Sequence, residues 1–235
     1  MALADNIQDL MSRTLSALDA SHDYYTYTKR VWRLLQQIVK EGRKFTFRNR
    51  TTHTQIDEQV LFGRAQLYVT EYLMSSTFQH FVSLFEDFFF GLLRHWLTAY
   101  PASLSKKQLE MGTVLSSPDK AAIVSTVVDK ELNELKYERL ADWFAHLERL
   151  VNLGCPNADE IEKLAEIKAS RDVLAHNNGM ANAIYVAKAG KRARHQDGEK
   201  LDIPEQYHRE SWETIKKVVS DLSSAAIAKA GHNLP

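Results

Sequence analysis

The residues of this chain best suited to chemistry stand together in the run Arg171-Asp172-Val173-Leu174-Ala175-His176-Asn177-Asn178-Gly179. Leu164, Ile167, Arg171 and Leu174 follow one another at steps of three, four and three, so Arg171 occupies a place that a helical pattern reserves for an apolar side chain. A guanidinium does not shed its proton, and leaving it unpaired away from water costs several kcal/mol, so a carboxylate, a phosphate or a wet cleft must receive it. Glu86 is a candidate partner, because Val82, Glu86, Phe89 and Leu93 run along one edge of another apolar stripe, and Asp87 stands beside it.

Asp172 and His176 are four residues apart, on one helical face, where a carboxylate can orient an imidazole and raise its basicity. Arg171 and His176 are five apart, about 140° around a regular helix. For both to address one phosphate, the helix must unwind near its end or a second subunit must complete the site. Asn177-Asn178-Gly179 supplies residues that tolerate the left-handed backbone on which a helix turns off.

The elements that must position these residues are helical. Nine glycines and five prolines punctuate 235 residues, and between them apolar residues recur at three- and four-residue steps. A first helix, whole or broken near His22, is expected over about 6–40, with Val31, Leu34, Leu35, Ile38 and Val39 as its clearest stripe. The Thr-rich stretch 42–55 reads as a loop or short extended piece. A second helix over about 57–99 carries Phe78, Phe81, Phe85, Phe88, Phe89 and Trp96 and belongs at the middle of a bundle. Ser117-Pro118 reads as the start of a helix continuing to Leu147, and Asn157 with Glu160 as the capping box of the helix that ends at His176. Two short apolar pieces, 184–186 and 201–203, suggest a hairpin or ordered loop, and a last helix is expected over about 206–230.

Composition narrows the function classes. Thirty basic and thirty acidic side chains cancel, so any nucleic-acid site must be local. An apolar share of 44% excludes intrinsic disorder, and the single cysteine, Cys155, excludes internal disulfides and cysteine-rich zinc sites and fits a reducing, cytoplasmic setting. The most apolar stretch, 78–97, carries His80, Glu86, Asp87, Arg94 and His95, which lipid penalises, so no membrane partner is expected. The start of the chain does not read as a signal peptide, and no repeat, linker or domain boundary interrupts a single helical domain over 1–235. No metal site or cofactor is indicated, since the histidines form no ligand-spaced cluster and no phosphate-cradling glycine motif occurs.

Arg171 to His176, an arginine, a polar residue, three further positions and a histidine at a helix end, resembles the signature of HEPN-domain ribonucleases. Asn177-Asn178-Gly179, Ile184-Tyr185 and the Phe85-Glu86 helix, which is similar to that family's second core helix, add to a likeness spanning roughly residues 60–225. The resemblance implies an all-α up-and-down bundle with an N-terminal helix packed on it and a hairpin or loop inserted after the motif helix. It implies a homodimer whose motif residues line a shared cleft and cut RNA without a metal ion. His176 would be the general acid or base, Arg171 would stabilise the charged phosphorus, and Asp172 would orient His176. Many such ribonucleases act as toxins or in anti-phage defence, which adds an antitoxin or other regulatory protein as an expected partner; others in the superfamily are non-catalytic binding modules.

Asn177, Asn178, Lys188, Lys191, Arg192 and Arg194 follow the motif closely and are candidates for gripping substrate phosphates, with a mobile charged loop as the alternative for the basic run 188–194. The segment Lys40, Arg43, Lys44, Phe45, Phe47, Arg48, Arg50 interleaves charge with aromatics in the manner of single-strand binders, and Arg48 joins the candidate set; a solvated loop anchored by two core phenylalanines is the alternative. Arg48 to His53 repeats the motif spacing but lacks an apolar face, and Arg139 to His146 lies inside a helical pattern with no turn-off after it, so context selects Arg171.

Overall fold

The computed structural model describes residues 2–44, 46–104 and 108–232. Phe45 lies outside the described residues. The Phe-rich segment forms α3 (Met74–Ala99), which continues without interruption from α2 (Glu58–Leu67) through a π-helical stretch, Tyr68–Leu73. Asp57 starts this run by accepting a hydrogen bond from the Val60 amide at 2.9 Å, and Tyr100 ends it before Pro101. Phe78, Phe81, Phe85, Phe88, Phe89, Leu92, Leu93 and Trp96 are all buried, each worth roughly 1.5–3 kcal/mol of removal from water. The wide stripe lets α3 touch helices on several sides: α1 (Leu3–Lys40), α5 (Lys120–Lys136), α7 (Ala158–His176) and α9 (Glu205–His232). The architecture is all-α. No helix among the described residues is long and apolar enough to cross a membrane.

Several boundaries differ from the sequence expectation. Helix α1 does not break at His22 and runs straight through to Lys40, yet no residue beyond Lys29 is buried, and Val31 and Leu34 of the expected stripe are exposed. That half of α1 extends past the buried positions and packs on α2 and the π-helical stretch, through Trp32 against Tyr68 and Gln36 against Gln66. The polar stretch after it carries a minimal antiparallel hairpin, β1 (Phe47–Arg48) with β2 (Gln55–Ile56). Phe47 is half exposed and so anchors no core. Helix α4 (Met111–Ser116) is followed by α5, whose N-cap is Asp119 and not Ser117; its carboxylate accepts from the Ala122 amide at 2.8 Å. The helix expected to reach Leu147 is divided, because the chain turns extended at Arg139 and α6 (Leu140–Val151) then lays Trp143, Phe144 and Leu147 into the core from a new direction.

In place of the expected hairpin or ordered loop, the segment after the motif forms a short helix, α8 (Ala183–Ala189), followed by a 3-10 turn at Gly190–Arg192. Asn182 caps it by accepting from the Tyr185 amide at 2.9 Å, and Tyr185 and Ala189, four apart, are buried, so helical period overrides the strand-like Ile184-Tyr185-Val186. Only one bridge, Met180 with Lys200, keeps extended pairing there.

His208, near the polar start of α9, is fully buried beneath Tyr25 and Phe81, its Nε2 2.8 Å from Thr77 Oγ1. Burial first, with help from His22 and Lys29 and against Glu205, lowers its pKa to about 4. An unfolded chain protonates this ring near 6.5 while the folded one does not, so stability falls as pH drops from 6.5 toward 4, by about 3 kcal/mol from this group. Thermal melts over that range should show a Tm slope that His208→Gln largely flattens; a variant slope parallel to wild type contradicts the assignment.

Candidate functional site

Helix α7 builds the site. Asn157 and Glu160 form the expected reciprocal cap, with the Glu160 amide 3.1 Å from Asn157 Oδ1 and the Asn157 amide 2.9 Å from Glu160 Oε2. Leu164 and Ile167 bury against the core, and Arg171, next along the stripe, lies at the edge of that core with a side chain only 16% exposed. Its Nη2 donates to Glu86 Oε2 on α3, and its Nη1 lies 3.3 Å from Asp172 Oδ1. The Nε hydrogen is buried without a partner. Glu86 is thus the partner that the stripe on α3 indicated. Lys168, one turn before Arg171, reaches the second oxygen of Glu86 at 3.3 Å and Asp172 at 3.2 Å, and lies 5.4 Å from the centre of the Trp143 ring.

These residues form one wall of a cleft of about 630 Å³. Ala169, Asp172, Val173 and His176 present one face of α7 to it, and Arg171 reaches around from the adjacent face through its long side chain. The helix stays regular through His176, so no unwinding is needed to bring both ends of the motif to one cleft. Lys188 from α8 closes another side, bound to Asp172 at 3.4 Å, and Lys136, Phe90, Trp143 and Asn182 complete the surround. Four cationic side chains and three carboxylates line it, leaving an excess of positive charge before His176 is counted.

The geometry corrects one pairing. No hydrogen bond or ion pair among the described residues joins Asp172 to His176. The Asp172 carboxylate is taken by Lys168, Arg171 and Lys188, which carry full charges and outcompete an imidazole, and the His176 ring is exposed at the helix end. Asn177 follows with its side-chain amide donating to the Met180 carbonyl, and Asn178 (φ 51°) and Gly179 (φ 76°) make the left-handed turn-off.

The other candidates part company. Asn177 and Lys188 share the cleft with Arg171, Asp172 and His176, whereas Asn178 lines a different groove with Thr70 and Asp202. Lys191 binds Glu162 at 2.8 Å and Arg192 binds Asp159, both toward the opposite end of α7. Arg48 sits in the β1–β2 hairpin and lines none of these hollows. Arg194 is structural: its Nε reaches buried Glu166 at 3.2 Å, its Nη2 donates to the Asp202 carbonyl at 2.9 Å, and its guanidinium stacks 3.5 Å from the Tyr207 ring centre.

Glu166 is the polar residue that sequence reasoning missed. Its carboxylate accepts from Ser170 Oγ at 2.7 Å, Tyr185 OH at 3.0 Å and Tyr207 OH at 2.6 Å, besides Arg194. Burial, with the carboxylate adding to it, raises both phenols and keeps them protonated as donors. This node ties α8 and α9 to α7. Nothing in the local sequence distinguishes Glu166 from a solvated glutamate, because its partners come from three separate segments. Lys168 was also missed, although its i,i+4 spacing to Asp172 is visible.

Removing the Glu86 carboxylate leaves Arg171 and Lys168 to share Asp172 at low exposure, so Glu86→Ala should cost about 2 kcal/mol in urea unfolding, and Arg171→Met in that background should recover part of it. An unchanged midpoint in Glu86→Ala contradicts the reading of this pair as a structural anchor.

No protein-family model matches the chain, and neither a curated protein nor a solved structure matches it significantly.

Proposed function

We propose that the cleft at the end of α7 binds an RNA phosphodiester and that the protein is a metal-independent endoribonuclease of the HEPN type, cutting single-stranded RNA as a homodimer. The observation that carries this reading is the convergence of Arg171, His176, Asn177 and Lys188 on one polar cleft with a positive excess. A guanidinium has five N–H donors; with Nε buried and one Nη2 hydrogen given to Glu86, the other Nη hydrogens, beside the Asp172 carboxylate, are left to meet a phosphate oxygen. Glu86 and Asp172 then act as the brackets that hold Arg171 in place before substrate arrives.

In the reaction the ribose 2′-oxygen attacks phosphorus, the bond to the 5′-oxygen breaks, and the products are a 2′,3′-cyclic phosphate and a 5′-hydroxyl. His176 takes the proton from the 2′-hydroxyl or delivers one to the leaving oxygen; its exposure lets it trade protons with water between turnovers. Arg171 and Lys188 offset the charge that builds on the phosphoryl oxygens. Because Asp172 does not hold the ring, the substrate or a second subunit has to fix its orientation. The resemblance to HEPN ribonucleases, many of which are toxins or anti-phage effectors, adds such a role to the proposal, with an antitoxin or other regulatory protein as its partner.

A second reading draws on the pairing of Arg171 with Glu86 and Asp172: a HEPN-like module that binds nucleotide, RNA or a protein partner without turnover. The two separate in one experiment. With excess EDTA, wild-type protein should cleave single-stranded RNA to 2′,3′-cyclic phosphate ends, and His176→Ala should lower the rate by at least about 100-fold with its melting curve unchanged. Retained cleavage in that variant removes the mechanism; binding without cleavage in wild type, weakened by Arg171→Ala, establishes the second reading instead.

A further inference from the structure

Between Tyr24 and Ile56 the chain holds eight basic residues and a single carboxylate, Glu41, although the whole chain is neutral. Lys29 is buried and bound to Glu205, and Lys40 lies 6.0 Å from the Phe62 ring centre. The other six, Arg30 and Arg33 on α1 and Arg43, Lys44, Arg48 and Arg50 on the segment after it, are exposed and enter no ion pair among the described residues. Cations elsewhere are commonly engaged, as Arg94 is with Asp129 at 2.5 Å and Lys216 with Asp19 at 2.5 Å. The charge is therefore sorted in space as well as in sequence.

An exposed seam runs beside these cations. Tyr24, Tyr27, Val31 and Leu34, at steps of three, four and three, share one face of α1, with side chains between 57% and 65% exposed. Arg30 is three residues from Tyr27 and four from Leu34, so its guanidinium borders the seam. Phe47 adds a half-exposed ring on the hairpin. Helix α1 spans about 57 Å, and its last third stands clear of the core. None of these residues lines the α7 cleft.

We infer that this arm, the C-terminal half of α1 with the β1–β2 hairpin, is a binding surface for single-stranded RNA, separate from the cleft. This deepens the reading of RNA as the ligand and rests on it. Phosphates satisfy the six unpaired cations, most of them arginines, whose planar forks suit phosphate oxygens, and bases stack on Tyr24, Tyr27 and Phe47. A second copy of the chain fits the surface worse, since pairing two such arms along the seam sets unneutralised cations against unneutralised cations. The arm would hold a strand by stacking and charge without reading its sequence, leaving the cleft to act on the phosphodiester.

The test is fluorescence anisotropy on the full chain with a labelled, unstructured 2′-O-methyl RNA, which binds but lacks the attacking hydroxyl. Replacing Arg30, Arg33, Arg43 and Arg48 by Gln should lower the slope of log affinity against log salt by about 3 and weaken binding at least tenfold. Tyr24→Ala with Tyr27→Ala should weaken binding about tenfold or more with the slope unchanged. All replaced side chains are exposed, so melting curves should stay put. Wild-type affinity and slope in the charge variant overturn the proposal, as does arm-dependent binding to phosphatidylserine vesicles or arm-dependent self-association with no RNA bound. Arm-dependent binding by a protein that cuts nothing removes the nuclease reading and leaves this one; cleavage that persists while arm variants bind like wild type does the reverse.

Discussion

An arginine that cannot lose its charge, set on the apolar edge of α7, is the constraint around which this end of the molecule is organised. Arg171 continues the stripe of Leu164 and Ile167 toward α3, where a carboxylate on the facing helix receives it. Glu86 meets that need from among phenylalanines, where a glutamate would otherwise be a liability. The pair draws in Lys168 and Asp172, and Asp172 draws in Lys188, so a single half-buried charge sets the positions of side chains on three helices. A polar cleft bounded by α3, α6, α7 and α8 is the result.

A buried carboxylate fixes the far side of the same helix. Glu166 collects donors from Ser170, Tyr185, Arg194 and Tyr207 and so clamps α8 and the segment after it to α7 and α9. Together with the ion pairs of Lys191 and Arg192 along the outer edge of α7, this clamp uses up most of the basic run that follows the motif. Lys188 alone of that run faces the cleft. The division is electrostatic: acidic residues at 159, 162 and 166 line the outer flank of α7 and claim the nearest cations, while the C-terminal turn has only Asp172 to offer.

The helices were readable wherever one strong period coincided with a capping residue. The Phe stripe of α3 and the Asn157-Glu160 box of α7 show both, and the pairing of Arg171 with Glu86 follows from two stripes and one unshakeable charge. What escaped depends on partners remote in sequence. His208 looks solvated in a polar helix start, yet Tyr25, Thr77 and Phe81 close over it. Ile184-Tyr185-Val186 has strand-forming residues, but Asn182 caps a helix and Glu166 waits for the tyrosine. Val31 and Leu34 keep helical spacing without a core to face, since periodicity reports a face and not what covers it. The motif likewise names Arg171 and His176 but not the competition of lysines that takes Asp172 from the histidine.

The central claim is that the end of α7 receives a phosphodiester, with Arg171 bracketed by carboxylates and His176 free to approach it. Histidine-selective NMR, following the ring signals as a non-cleavable 2′-O-methyl RNA is titrated in, tests it most directly. The account predicts that His176 signals shift with saturation and that those of buried His208 stay in place. Saturating RNA binding that leaves the His176 ring undisturbed would contradict it.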